Sequence, residues 1–393
     1  MARTLWWFVL GREPLLSLAE LAAVLSSNPD LLTPDIAKFE LANEPGELIK
    51  KLGGTVKIAK ELAAGLTEEA LLDRLALELD GVTGKIHFGL SLYAIPKGSE
   101  WGYAWGLALK KRLKAKGKSI RFVDNRGKAA LSSVSVDKNG LITKGREFLI
   151  VPQGKGFAVA QSVAVQPFES FSQRDFGRPG RDDTSGMLPP KLAMMMINLS
   201  GATTEKILLD PFCGSGTIIS EAMLLGFTKL IGTDASPKAI EDTKKNLEWL
   251  ATGKLRAALK ISVCDAAKLP TMISDRSVDV VVTEPYLGPP LKGRESPEQL
   301  RISQAALQKL YKQAFASFTK ILRPNAAVVF IFPRFQTSAG WISVAEGLVA
   351  DLKKDGFEPI PLLPQKFSKT PYLLYHREGQ RVGREIWRFR FAS

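Results

Sequence analysis

The chain has 393 residues, 45% of them hydrophobic and 24% charged, proportions that exclude a disordered or fibrous polymer. That length exceeds one ordinary hydrophobic core, so two or three domains are expected. The formal net charge of +14 points to an anionic partner, and no run of about 18 apolar residues offers a membrane span.

The opening MARTLWWFVLGREP reads as a strand over Leu5–Leu10. It does not read as a leader peptide, because Gly11 and Arg12 end a short apolar run and no small-residue cleavage site follows. A helix over Ser17–Leu25 is predicted next, with Leu18, Leu21 and Leu25 on one face. Residues 54–165 mix helical stretches with strands at 85–92, 119–123 and 147–151. That is an α+β pattern, expected as small domains rather than one sheet. Residues 101–150 carry 12 Lys and Arg against 3 Asp and Glu. Most of the excess is one cluster: Lys110, Lys111, Arg112, Lys114, Lys116, Lys118 and Arg121, continued by Arg126 and Lys128. Alone, such a run is as well explained by a solvated face as by contacts to nucleic acid. Residues 166–190 are rich in Gly, Pro, Ser and charge and read as a linker or clamp.

From Lys191 the texture changes to regular strand and helix alternation. Pro189 and Pro190 suit a helix start. Strands are expected at 207–209, 229–232, 261–263, 278–283 and 326–332, with two more in 372–390, and helices at 216–225 and 237–250. Alternation of this kind implies an α/β, doubly wound and largely parallel sheet. The last two strands have no helix between them and are expected as an antiparallel hairpin at one edge. A second basic stretch, Arg377, Arg381, Arg384, Arg388 and Arg390, ends the chain with Trp387 and Phe389 between its cations.

The strongest local signal is LLDPFCGSGT at 208–217. A buried strand ends at Asp210, Gly214 and Gly216 make a tight turn, and a helix begins at Thr217. Glycines there let backbone approach a ligand. The next strand ends in Asp234, eighteen residues past Gly216, placed to accept two ribose hydroxyls. A dinucleotide loop would carry a third glycine where Ile219 stands. The third strand ends in Asp265, which can accept an adenine amino group, so the set reads as a pocket for one nucleoside. Singly, each acid is more often a helix cap. The fourth strand runs into VVVTEPYLGPP at 280–290. There the Glu284 carboxylate and Pro285 carbonyl can accept from an aromatic amine, and Tyr286 can stack on an extruded base. Cys213 and Cys264, with His87 and His376, are too scattered for a zinc site, and the cysteines are read as reduced thiols of a cytoplasmic protein. No histidine lies near these motifs.

At Asp210–Gly216, Asp234, Asp265 and Glu284–Gly288 the sequence resembles the THUMP-containing tRNA guanine-N2 methyltransferases, in particular those that act on guanosine 10 of tRNA. LGREPLLSLAEL near the start and GMLPPKLAMMMINL before the glycine loop extend the resemblance to most of the chain. It implies a Rossmann-like class I methyltransferase domain over 191–393, with a seven-stranded sheet. Ahead of it the resemblance implies a ferredoxin-like α+β region over 1–53 and a THUMP-like RNA-binding domain over 54–165. The implied cofactor is S-adenosyl-L-methionine, held by Asp210, Phe212, Gly214, Gly216 and Thr217 on one side and by Asp234, Ala235, Asp265 and Ala266 on the other. The implied catalytic residues are Glu284, Pro285 and Tyr286, and the implied partner is tRNA, gripped through the basic cluster by contacts that read phosphate and not sequence. No metal and no membrane are called for, and an activating protein subunit is left open. The family's usual fourth motif is Asp-Pro-Pro-Tyr, so Glu284 is one methylene longer and the ring sits one residue earlier. Two other readings stay open: a DNA adenine-N6 or cytosine-N4 methyltransferase, and an inactive RNA-binding protein that retains the fold.

Overall fold

A computed structural model describes residues 3–181, 187–250, 257–291, 293–337 and 340–392. The chain divides into two units, Met1–Pro14 with Asn28–Ser170 and Leu15–Ser27 with Phe171–Ser393.

In the first unit the strands are β1 (Thr4–Leu10), β2 (Asp30–Thr33), β3 (Ile36–Leu41), β4 (Thr55–Leu66), β5 (Ile86–Leu92), β6 (Ile120–Val123), β7 (Arg146–Gln153) and β8 (Gly156–Val165). They form one sheet in the order β2-β3-β1-β4-β8-β7-β5-β6. Residues 54–165 were expected as small domains and not one sheet; their strands instead join β1, β2 and β3 in a single sheet. The cause is β4, twelve residues long, which pairs antiparallel with β1 through its first half and with β8 along most of its length. At the sheet's centre Glu147 accepts from Lys57 Nζ at 2.5 Å and from Ser91 and Ser162 at 2.6 Å each. A buried charge is tolerated there because each carboxylate oxygen has a donor.

Among the described residues three α-helices complete this unit, α2 (Glu68–Asp80), α3 (Gly98–Ala115) and α4 (Ser133–Lys138), while α1 (Pro14–Leu25) lies almost wholly in the second unit. Along α3 the residues Trp105, Leu109 and Leu113 are buried, at helical spacing, and Lys111, Arg112 and Lys114 are exposed.

The second unit has helices α5 (Phe168–Phe176, begun in the first unit), α6 (Pro190–Ser200), α7 (Thr217–Leu225), α8 (Pro237–Leu250), α9 (Pro297–Ile321) and α10 (Leu348–Lys354). Its strands are β9 (Ile207–Asp210), β10 (Lys229–Asp234), β11 (Ala258–Val263), β12 (Val278–Thr283), β13 (Leu322–Thr337), β14 (Gly340–Ser343), β15 (Phe357–Pro359), β16 (Leu373–Tyr375) and β17 (Val382–Phe391). The main path is β11-β10-β9-β12-β13-β17-β15, with β14 beside β13 and β16 beside β17. The five strands from β11 to β13 are mutually parallel, and β17 is antiparallel to both neighbours. Near-continuous apolar runs such as Val278–Val282 suit strands covered on both faces. Strand order reverses between β9 and β12, and there the strand tips diverge to leave a crevice.

Among the described residues the sheet has nine strands where seven were expected, because the short β14 and β15 had no expected counterpart, and the terminal hairpin is also placed differently. β16 and β17 do pair antiparallel, but β17 is inserted between β13 and β15 and the three-residue β15 takes the edge. Aromatic packing explains the insertion. Phe389 of β17 meets Phe315 of α9 with ring centroids 5.8 Å apart, and Phe357 of β15 meets the same ring at 4.8 Å, so leaving β17 at the rim would expose rings worth about 2 kcal/mol or more each.

The linker expected over 166–190 is in large part folded. Phe171 is buried, and Arg174 grips Glu221 of α7 through Nε at 2.6 Å and Nη2 at 3.2 Å. The Gly180 N–H donates to Asn246 Oδ1 at 2.7 Å while Asn246 Nδ2 donates back to the Gly180 carbonyl at 2.8 Å. A Cβ at Gly180 would meet Asp242 at 2.8 Å, so only glycine allows this approach. Residues 182–186 of the connector lie outside the described residues.

Candidate active site

β9 delivers its chain end into a turn that glycine makes without strain. Gly214 and Gly216 have φ of +52° and +83°, in the left-handed region that L side chains avoid. A Cβ at Gly216 would lie 2.8 Å from Thr243, whereas one at Gly214 would meet nothing within 4 Å. The second of these glycines thus lets α8 pack closely, and the first presents bare backbone to open space. Thr243 of α8, fully buried, donates through Oγ1 to the Gly214 carbonyl at 2.7 Å.

Asp210 and Asp234 are the last residues of β9 and β10, Asp265 stands two residues past the end of β11, and each has structural work. Asp210 is 1% exposed; it accepts from Thr283 Oγ1 at 2.6 Å and from the Phe212 N–H at 3.3 Å. Burial pushes its pKa up to about 7, against the pull of those two donors. Asp234 accepts from the Gly214 N–H at 3.0 Å and from the Ser236 N–H at 2.9 Å, tying the glycine turn to the tip of β10. Asp265 is exposed and caps the short 3-10 turn after it, accepting from the Ala267 N–H at 2.9 Å.

A cleft of about 810 Å³ opens between these tips and the segment after β12. It brings together Asp210, Phe212, Gly214 and Thr217, then Asp234, Ala235, Asp265 and Ala266, and on the facing side Glu284, Pro285 and Tyr286. Gly216 is set back at the start of α7, and Thr217 Oγ1 is already engaged by Arg178 Nη1 at 2.5 Å. The volume suits a drug-sized or nucleoside-sized molecule.

Along the facing side, Tyr286 is 54% exposed, with its backbone fixed by a 2.6 Å hydrogen bond from the buried Tyr311 hydroxyl of α9 to its carbonyl. Gly288, with φ of +97°, turns the chain away. Glu284 is largely covered, and its Oε1 accepts from Arg384 Nε of β17 at 2.5 Å. Sequence reasoning singled out Glu284 but missed Arg384, Thr243, Thr283 and Tyr311. Arg384 was visible only as one member of a basic run, and that run does not form one patch: Arg384 turns to Glu284, the Arg388 guanidinium lies near Gly201, and Arg390 is exposed.

The basic cluster lies in the first unit, on α3, β6 and the turn between. Lys111, Arg112, Lys114, Lys116 and Arg121 are exposed and Lys110 and Lys118 half-buried. Arg112 pairs with Asp73 at 2.5 Å and Lys118 with Asp80 at 3.4 Å. Beside them on α3, Trp101 and Tyr103 are 41% and 50% exposed, rings that the charge count alone did not reveal. Cys213 and Cys264 are free thiols. Among the described residues no group of three His, Cys, Asp or Glu could hold a metal ion, and no helix is long and apolar enough to cross a membrane.

A sheet of this order, with a reversed strand beside the fifth and a glycine turn and acidic tips lining its crevice, is the class I methyltransferase fold. Residues 178–343 match the family described as the RMKL-like methyltransferase domain. In sequence the chain is 34% identical over 137 residues to the tRNA (guanine(10)-N2)-dimethyltransferase of Methanothermobacter thermautotrophicus, covering 34% of this chain and 37% of that protein. It is 30% identical over 158 residues to the enzyme of the same name from Pyrococcus abyssi, covering 40% and 41% respectively. The chain thus spans about two fifths of the length of the curated relatives it matches. Among solved structures, TrmN from Thermus thermophilus superposes with a TM-score of 0.52 at 18% identity, covering 98% of this chain and 99% of that one. A possible methylase from Clostridium difficile 630 superposes with a TM-score of 0.54 at 12% identity, covering 100% and 98%. At such identities the likeness is one of fold.

Proposed function

We propose that this protein is an S-adenosylmethionine-dependent tRNA methyltransferase whose target is an exocyclic amine, guanine N2 before others. The observation that carries the reading is the shared cleft: a carboxylate, a carbonyl and an exposed ring at 284–286 face a nucleoside-shaped set of acceptors across about 810 Å³.

The cleft fits the cofactor on its own chemistry. Open space in front of Gly214 gives a bulky group access to backbone, and Asp234 and Asp265 are acceptors for ribose hydroxyls and an adenine amino group. Bound there, S-adenosylmethionine supplies an electrophilic methyl group. An aromatic amine is a weak nucleophile because its lone pair is delocalised into the ring. Glu284 and the Pro285 carbonyl accept from its N–H groups and orient it, and the Glu284 carboxylate takes up the proton it sheds. Tyr286 stacks on the base, which must leave its helix to enter. The basic ridge of α3 and β6, with Trp101 and Tyr103 beside it, is assigned to the RNA backbone, and the first unit to a THUMP-like role. A tRNA substrate implies a cytoplasmic location.

Nucleoside mass spectrometry of tRNA incubated with the protein and S-adenosylmethionine is the test, with N2-methylguanosine or N2,N2-dimethylguanosine expected. Methyl label entering duplex DNA instead would overturn the RNA assignment. Cofactor binding without transfer to any nucleic acid would return the inactive RNA-binding reading.

A further inference from the structure

The motif at 284–286 has a glutamate where the family it resembles usually has an aspartate, and a longer side chain is a poorer positioning device unless something holds it. The extra methylene adds a rotatable bond, and an acceptor that swings by an ångström loses orientation over the amine. The structure contains what is needed to stop that motion. Arg384 Nε donates to Glu284 Oε1 at 2.5 Å, and the two side chains are 11% and 12% exposed.

Arg384 is itself held on several sides. It stands on β17 opposite Pro333 of β13 and opposite Tyr375 of β16. The Tyr375 ring lies beneath its guanidinium, 6.0 Å from the centroid, and Arg377 Nε fixes that ring by donating to Tyr375 Oη at 2.8 Å. Gly383, next to it, leaves room for Arg334, whose Cγ would stand 2.9 Å from an added Cβ. The short β16 therefore has a purpose beyond pairing: it closes the side of β17 on which the guanidinium rests. Burial alone would weaken the charge on Arg384, but the Glu284 carboxylate outweighs burial and raises its pKa.

We propose that Arg384 is the positioning residue for Glu284: by occupying Oε1 it fixes the rotamer of the longer side chain and leaves Oε2 for the target amine. This rests on the reading of Glu284 as the amine acceptor. Arg384 is not among the residues lining the cleft, so it acts through Glu284 and not by touching the base.

The test uses the full chain, bulk tRNA and the variants R384Q, R384K and R384A. R384Q is expected to lower kcat by about tenfold or more, the scale of a misplaced catalytic group, with the KM for tRNA and the calorimetric affinity for S-adenosylmethionine unchanged. R384K retains part of the turnover, because an ammonium restores the charge but not the planar donor. Methylguanidinium added to R384A restores turnover, which a general loss of folding would not allow. In a double-mutant cycle R384Q adds little to the loss already caused by E284Q. Wild-type kcat in R384Q overturns the proposal. So does a loss that takes cofactor binding with it and resists both lysine and methylguanidinium, since Arg384 would then only support the fold. Failure of the wild-type protein to methylate any tRNA sinks the reading of the site itself, a result separate from either.

Discussion

Asp210 is a carboxylate where charge is costly. It is buried, its hydrogen bonds come from Thr283 and the Phe212 N–H, and its pKa rises to about 7. In the unfolded chain the same group titrates near 3.8, so the folded state binds the extra proton. Stability from this group is full below about pH 4 and is lost as pH rises through about 7, by roughly 4 kcal/mol at about 1.4 kcal/mol per unit. Asp210→Asn keeps an oxygen for both donors and cannot ionise. Urea unfolding between pH 5 and 8 should then show the wild type losing stability relative to the variant; parallel curves would refute the shift.

On the proposed function, Glu284 and Asp234 separate chemistry from binding. Glu284→Gln leaves an acceptor for Arg384 Nε and so avoids stranding a buried guanidinium, which Glu284→Ala would do. Expected is a loss of methyl transfer of about a hundredfold or more, the contribution of a positioned proton acceptor, with cofactor affinity near the wild-type value. Turnover close to wild type would remove Glu284 from the reaction. Asp234→Ala acts on the other side of the cleft. Because both its oxygens already brace backbone at Gly214 and Ser236, calorimetry should show weakened cofactor binding through a loosened turn as well as lost ribose acceptors, and an unchanged affinity would clear Asp234 of both roles.

At the scale of elements, α9 supports the loop that carries Tyr286. Burial first, and the Glu284 charge second, push the Tyr311 phenol pKa well up, so this hydroxyl remains a donor to the Tyr286 carbonyl across the working pH range. Tyr311→Phe removes that bond alone, at a cost of about 1 kcal/mol in stability, and a rise in KM for tRNA larger than any change in cofactor affinity is the expected kinetic signature. Much of this half was legible. Four apolar strands, a glycine turn and an acidic residue at each of three strand ends are local patterns, and local patterns survive in a single sequence. α9 carries a local signal of its own in Pro297 and the Ser296–Gln299 capping box, but no helix was expected there. The pairing of Glu284 with Arg384 was not, because one hundred residues separate them and their contact depends on β17 entering the sheet between β13 and β15. No periodicity encodes that order, and β15 and β16, three residues each, are too short to announce themselves. The single sheet of the first unit was hidden for a similar reason: it follows from β4 having partners on both edges, one about fifty residues away in the chain and one about a hundred.

For the molecule as a whole, the division of labour can be tested by charge. All the residues lining the cleft belong to the second unit, and the cluster at 110–121 belongs to the first. Lys111, Lys114 and Lys116 are exposed and, among the described residues, have no ion pair, so their charge is available to a polyanion. Arg112, already engaged by Asp73, should matter less. Each phosphate neutralised releases condensed cations and adds about 0.7 to 0.9 to the slope of log affinity against log salt. Reversing these three lysines to glutamate should raise the apparent dissociation constant for tRNA and flatten that slope by roughly two units or more, with S-adenosylmethionine affinity unaffected because no residue of the cleft has changed. Should the slope stay as steep as in the wild type, the ridge on α3 would be only a solvated face, and the anionic partner implied by a net charge of +14 would have to be held elsewhere.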